Sequence, residues 1–196
     1  MEQEHAVKMV LLGAAGVGKS SILKRFISDD FDTNEQPTLG ASFHSKIVQL
    51  RDVSFKFQIW DTAGQEKYAP LAVMYYRDAQ VVLLVYDITN KESFSVLKTW
   101  YDEIIEKGLT NVILFVIGNK TDLAEFEEVD IEKGKAFADS VGAIFKTTSA
   151  KNNQGVKEIF EKILEKVSES IGIAYKGRKG TTLMEPKNDS EKRCAC

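Results

Sequence analysis

The chain has 196 residues, a formal net charge of −3 and only two cysteines, Cys194 and Cys196. That length suits one domain with an appendage and a core that needs no staples, while the acidic balance excludes a nucleic-acid binder held by bulk electrostatics. A thiol-free body leaves no disulfide framework, no apolar run approaches the ~20 residues of a membrane-crossing helix, and the opening MEQEHAVK has no signal-peptide pattern, so the body is expected to stay in the cytosol.

In chain order, the first element is VKMVLLG (residues 7–13), continuously apolar and branched as in a strand covered on both faces. A helix is expected after GAAGVGKS. ASFHSKIVQL (41–50) and SFKFQIW (54–60) then read as two strands joined by a short turn around Asp52. In the second, Phe55, Phe57 and Ile59 share one face and Lys56, Gln58 and Trp60 the other. VVLLVY (81–86) and VILFVIG (112–118) are further buried strands, and AIFKTTS (143–149) is a shorter one. From 154 to 171, Val156, Ile159, Phe160, Ile163, Leu164, Val167 and Ile171 recur at helical spacing opposite Lys and Glu. Strands alternating with helices predict an α/β fold. The sheet should be mostly parallel and six-stranded, with one antiparallel edge hairpin and helices on both faces. The expected organisation is a folded domain over 1–172 and a flexible tail over 173–196, where the apolar pattern stops.

GAAGVGKS (13–20) fits G-x-x-x-x-G-K-[ST] in the required strand-to-helix context. Such a loop turns backbone amides toward phosphate, and the helix dipole adds partial positive charge. The candidate phosphate contacts are Ala15, Gly16, Val17, Gly18, Lys19, Ser20 and the adjoining Ser21, with Lys19 on the β- and γ-phosphates and the Ser20 hydroxyl on Mg²⁺. The motif alone does not separate ATP from GTP. NKTD (119–122) follows a predicted strand, where open α/β sheets place their ligands. There Asp122 can accept two hydrogen bonds from guanine N1–H and N2–H₂, a pair of donors that adenine lacks. Asn119 can bridge the loops, the Lys120 stem can lie over the base, and a backbone amide of Ser149, Ala150 or Lys151 can reach guanine O6. Alone, NKTD reads more readily as a polar turn; three motifs in order at strand ends do not.

WDTAGQE (60–66) ends the second hairpin strand. Asp61 can hold Mg²⁺ through water, Gly64 can offer its amide to a γ-phosphate without a side chain in the way, and Gln65 can orient the attacking water. In QPTLG, Thr38 can ligate Mg²⁺ through its hydroxyl, although in isolation it is a turn residue. Two other function classes stay open: a P-loop ATPase or nucleoside kinase, which Asp122 counts against, and a GTP-bound scaffold that does not hydrolyse, for which Ala15 near the γ-phosphate is the reason.

GAAGVGKS, PTLG, WDTAGQE, NKTD and TSAK together resemble the Ras superfamily of small GTPases. LGASF, KFQIW and LVYDIT resemble its Rab family, and WDTAGQEKYAPLAVMYYRDAQ is most similar to the endosomal, Rab-five-like subgroup. The likeness covers residues 7–171. It implies a P-loop G domain that binds GTP or GDP with Mg²⁺, hydrolyses GTP slowly by means of Gln65 and Lys19, and switches vesicle traffic and membrane fusion in the endocytic pathway. It implies Phe31 edge-on against guanine, and Phe43, Trp60 and Tyr75 as an effector-facing aromatic triad. Strand phase sets Trp60 apart from the buried Phe55, Phe57 and Ile59, leaves Phe43 ambiguous, and leaves Tyr75 open to simple packing. Four positions depart from the family pattern: Ala15, Lys67, Val73 and Asp78, the last in place of a usual glycine.

The resemblance also gives the terminal cysteines a purpose. A C-a-a-X box would need cysteine where Arg193 stands, and a zinc site would need more ligands than His5 and His44. The ending resembles the C-x-C terminus of Rabs, which carries two geranylgeranyl groups on Cys194 and Cys196; one lipid chain binds a membrane only marginally. The bland alternative is two inert exposed thiols. Six basic residues against three acidic ones from Ile173 onward assist anionic lipid. The implied partners are an exchange factor, a GTPase-activating protein, a GDP-dissociation inhibitor, prenylation escort machinery and GTP-dependent effectors. The implied location is the cytoplasmic face of endosomal membranes with a cytosolic pool, for a G domain that is monomeric.

Overall fold

The computed structural model describes residues 3–50, 53–64, 74–109 and 111–173. Six strands run in chain order: β1 (Gln3–Leu12), β2 (Ala41–Leu50), β3 (Val53–Thr62), β4 (Val81–Asp87), β5 (Ile113–Asn119) and β6 (Ile144–Thr147). They form one sheet in the order β2-β3-β1-β4-β5-β6. Only β2 and β3 pair antiparallel, with Ala41 opposite Thr62 and Leu50 opposite Val53. Every other pairing is parallel. The expected mostly parallel sheet with an antiparallel edge hairpin is therefore present.

Among the described residues the helices are α1 (Lys19–Ser28), α2 (Lys91–Ser95), α3 (Leu97–Glu106), α4 (Ile131–Ser140) and α5 (Val156–Ser170), with a 3₁₀ stretch at Thr121–Phe126. They cover both sheet faces, and the two-residue strand period divides the core between them. Met9, Leu11, Val81, Leu83 and Val85 point to one side, where Ile22 and Phe26 of α1 and Ile159, Phe160 and Ile163 of α5 meet them. Val10, Leu12, Val82, Leu84 and Tyr86 point to the other, against Leu97, Trp100 and Ile104 of α3 and Ala138 of α4. This is why the central strands read as unbroken apolar runs: neither face meets water.

β1 starts four residues before the apolar run that predicts it. Its polar leading segment, Gln3 to Ala6, pairs with Val53 to Lys56 of β3, whereas β4 joins β1 only from Met9. With one neighbour instead of two, that end tolerates Glu4 and His5. All five parallel-paired strands point their C-terminal ends to the same edge of the sheet, and the loops leaving that edge build the site.

Candidate functional site

A cavity of about 690 Å³ opens at that edge, a size suited to a nucleotide-sized ligand. The loop after β1 forms one wall. Gly18 caps α1 with φ 94° and no side chain caps the helix, and a Cβ at Gly18 would run into the Asn119 amide. The first turn of α1 carries no acidic residue, so its amides face the cavity uncapped and unopposed, ready for an anion. Ala15, Gly16, Gly18, Lys19, Ser20 and Ser21 line this wall. Val17 does not; its side chain is buried in the core and only its carbonyl takes part.

Lys19 is buried, and its Nζ donates to the carbonyls of Gly13 at 3.0 Å and Ala14 at 2.8 Å. Burial brings its pKa down to about 8, against the opposing pull of the Asp61 carboxylate. Asp61 closes the end of β3. Its Oδ2 accepts from Ser20 Oγ at 2.5 Å and from Thr38 Oγ1 at 3.3 Å, and the two hydroxyls lie 2.9 Å apart. Burial raises the Asp61 pKa, and the Ser20 hydrogen bond, Lys19 and Thr38 work against that rise. Asp61 Oδ1 is buried with no hydrogen-bond partner. One carboxylate with an orphaned oxygen beside two hydroxyls is a hard-oxygen donor set. Among the described residues no group of three or more His, Cys, Asp or Glu is placed to hold a metal ion. These donors fit Mg²⁺, which binds through one or two protein oxygens, water and substrate phosphate.

Gly64 lies against the phosphate-side loop so closely that a Cβ there would overlap the backbone of Ala14 and Ala15. Thr62 Oγ1 donates to Leu11 O at 2.7 Å and the Ala63 amide to Gly40 O at 2.7 Å, which tie the end of β3 to β1 and to the loop after Thr38. Gln65, Lys67 and Val73 lie outside the described residues, as do residues 174–196 of the expected tail with Cys194 and Cys196, whereas Ile173, expected to begin that tail, packs on the core.

The opposite end of the cavity is built by the loops after β5 and β6. Asn119 is fully buried: its Nδ2 donates to Val17 O at 2.8 Å, and its Oδ1 accepts from Thr148 Oγ1 at 2.8 Å and the Ala150 amide at 3.3 Å. One side chain thus joins the three loops after β1, β5 and β6. Ser149 Oγ donates to Asp122 Oδ1 at 2.6 Å, and Lys151 Nζ lies 4.0 Å from Asp122 Oδ2. Ser149 is itself buried and supports Asp122 rather than lining the cavity. Lys120 takes a left-handed backbone conformation (φ 69°) and pairs with Asp87 at 2.7 Å. Asp87 in turn accepts from the amide and hydroxyl of Thr89. Lys120, Asp122, Ala150, Lys151 and Phe31 all line the cavity.

Phe31 packs on the core, with the Arg25 guanidinium 5.7 Å from its ring centroid. Arg25 is fully committed. It donates from Nε to Ala150 O at 2.8 Å, from Nη2 to Lys151 O at 3.0 Å and from Nη1 to Asp29 O at 2.7 Å. No described residue lining the cavity is an arginine. Sequence reasoning missed Arg25, Asp87 and Thr148 as supports of the site. Thr148 and Asp87 sit inside motifs the sequence displays, TSAK and LVYDIT, but their partners are distant in the chain.

Away from the cavity, Phe43 stands opposite Trp60 in the β2–β3 register. The Phe43 and Trp60 rings lie 5.1 Å apart, as do those of Trp60 and Tyr75. Phe43, left ambiguous by alternation, is exposed, as are Leu39, Ile47 and Met74.

The Ras family profile matches residues 8–169. Ras-related protein Rab-22A of Homo sapiens is 44% identical over 188 residues, 96% of this chain and 97% of the relative. Ras-related protein Rab-31 of Homo sapiens is 44% identical over 189 residues, 96% of each chain. Rab-31 of Rattus norvegicus is 47% identical over 161 residues, 82% of this chain and 83% of the relative.

Proposed function

Because the chain belongs to the Ras family, and within it to the Rab GTPases, we propose that the residues just described grip a guanine nucleotide together with Mg²⁺. The protein binds and hydrolyses GTP and acts as a switch in vesicle traffic. The observation that carries the site assignment is one cavity with a buried lysine and the Asp61 cluster at one end and Asp122 at the other.

GTP is the substrate. The uncapped amides of α1 and the loop before it bind its phosphates, and Lys19 holds a full positive charge on the β- and γ-phosphates. Ser20, Thr38 and Asp61 would hold Mg²⁺, which when bound would neutralise charge developing on the phosphate oxygens. Gly64 brings a backbone amide to the γ-phosphate. Gln65 orients the attacking water. Asp122 accepts guanine N1–H and N2–H₂, a backbone amide of the 149–151 loop serves O6, and Phe31 and the Lys120 stem flank the ring.

Arg25 is already spent on three carbonyls, and no arginine lines the cavity among the described residues. An arginine aimed at the transferring phosphate is worth about 10³–10⁵ in rate. Hydrolysis is therefore slow until a GTPase-activating protein supplies one. An exchange factor, a GDP-dissociation inhibitor and effectors complete the cycle, as in Rabs generally. Effectors read the Phe43–Trp60–Tyr75 face when the γ-phosphate orders the segments around Thr38 and Gly64. Residues 174–196 act as a tether, with prenyl groups placed by escort machinery on Cys194 and Cys196, at the cytoplasmic face of endosomal membranes. No described helix is long and apolar enough to cross a membrane.

Competition of GTP, GDP and ATP for the purified protein tests the site, and single-turnover phosphate release tests hydrolysis. Equal affinity for guanosine and adenosine nucleotides would overturn the assignment of Asp122. Absence of phosphate release with an activating protein present would favour the GTP-locked scaffold.

A further inference from the structure

The segment leading from α1 to Thr38 is thinly attached. Residues 32–37 are all exposed. Two of their hydrogen bonds, Asn34 N to Asp32 Oδ1 and Gln36 Nε2 to Asn34 O, stay inside the segment. Among the described residues, its polar link to the body is Lys24 of α1. Lys24 Nζ donates to Glu35 Oε2 at 3.0 Å and lies 3.7 Å from Asp30 Oδ2 and 3.9 Å from Asp32 Oδ2. The Glu35 hydrogen bond, with these carboxylates around it, raises the Lys24 pKa above the ordinary lysine value.

The same segment has open volume on both sides. Behind it, between α1 and β2, lies a second cavity of about 450 Å³, and Ser20, Glu35, Gln36 and Thr38 line both this cavity and the larger one. Residues 35–38 are thus a partition one chain thick. Phe31, packed on the core, holds one side of it, and the hydroxyl cluster at Thr38 holds the other. Between them, among the described residues, the Lys24 ion pairs are the polar contacts that hold the wall to the body, and the space behind gives it room to swing away from a bound ligand.

We propose that Lys24 is a latch on nucleotide release: a positioning residue that, through Glu35, Asp32 and Asp30, holds the 32–37 segment as the wall of the nucleotide cavity. This rests on reading that cavity as the guanine-nucleotide site. The side chains of the pair partners are 32% (Lys24), 35% (Glu35), 49% (Asp32) and 62% (Asp30) exposed. Each contact is individually weak and screened by salt. The latch therefore tunes a rate without deciding whether nucleotide binds, and its strength falls with ionic strength.

The test is the dissociation rate of a fluorescent GDP analogue from the full chain in excess Mg²⁺, at about 0.02 M and about 0.5 M KCl. Lys24→Met should release the analogue about three- to tenfold faster than wild type at low salt, and the gap should close at high salt. Lys24→Arg should stay near wild type, and Lys24→Glu should be faster than Lys24→Met. Thermal unfolding of the nucleotide-free variants separates a folding defect from a latch. Equal release rates for wild type and Lys24→Met at low salt, or a gap that persists at high salt, overturn the latch. Failure of the wild-type chain to bind the analogue at all would instead overturn the nucleotide-site reading.

Discussion

The two ends of the cavity are built on opposite plans. At the base end, the side chains that face the ligand are already tied to the protein. Asn119 makes three hydrogen bonds, Asp122 is held by Ser149, and Lys120 is held by Asp87. At the phosphate end, Ser20, Thr38 and Asp61 satisfy one another in a small cluster, Asp61 Oδ1 has no partner, and Lys19 leans on two carbonyls of its own loop. The first arrangement is preorganised and has little to rearrange when ligand arrives; the second is completed by ligand. A switch needs both. On the proposed assignment, the base end keeps the nucleotide identity fixed through the cycle, while the phosphate end changes with the number of phosphates present.

The comparison breaks most visibly at Asp122. Asp122→Ala removes the acceptor of two charge-assisted hydrogen bonds and should weaken GDP and GTP alike by about 10²–10³-fold; nucleotide competition measures it. A loss confined to GTP would mean the base end is not the invariant one. Ser20→Ala should act on the other plan. It should lower GTP affinity about tenfold in Mg²⁺ and little in a chelator, read by titration calorimetry in both conditions. An equal loss without the metal would place Ser20 outside the metal cluster.

Tyr86 sharpens the contrast, because its hydroxyl is buried with no partner just behind the base end, pressed against Gly118 and Gly134. Burial first, then Glu127 and Asp130, push its pKa up to about 12. A tyrosine whose folded pKa is raised adds stability that is complete below about pH 10 and is lost as pH rises through about 12. Because the buried hydroxyl has no partner, Tyr86→Phe should raise stability by about 1 kcal/mol at neutral pH, and because it removes the titration it should flatten the alkaline loss between about pH 10 and 12. Denaturant unfolding across that range checks both. The smallest effect is expected at Asp78, exposed and held at φ 59°. Asp78→Gly should stabilise by about 0.5–1 kcal/mol and leave GDP and GTP affinity unchanged, a control lying outside both ends of the cavity.

What the sequence disclosed follows the same division. Backbone-built features are local and therefore readable. The GAAGVGKS loop, the buried strands and the hairpin phase that sets Trp60 opposite to Phe55, Phe57 and Ile59 each fit in one window of residues. Supports that act across the chain were not readable. Thr148 reaches Asn119 across 29 positions and Arg25 reaches Ala150 across 125. Neither residue type announces its partner. The polar start of β1 was missed for a related reason. Gln3 to Ala6 have no apolar period, and they are strand because β3 offers them a neighbour. The tilted ring contacts of Phe43 and Tyr75 with Trp60 came from family likeness, since alternation alone could not orient Phe43.

The Asn119 side chain, reaching back 102 positions to Val17 and forward to Thr148, has a consequence for the chain during its own synthesis. Translation proceeds from the N-terminus at about 5–20 residues per second, so the glycine loop leaves the ribosome well before the strand that completes the purine cradle. The loop then waits, solvated and ligandless, until β6 docks at the far side of the sheet. On the proposed site, full nucleotide capture would require the loop after β6 to be in place, so a nascent or truncated polypeptide lacking that last strand would gain little of the ligand's protection against unfolding.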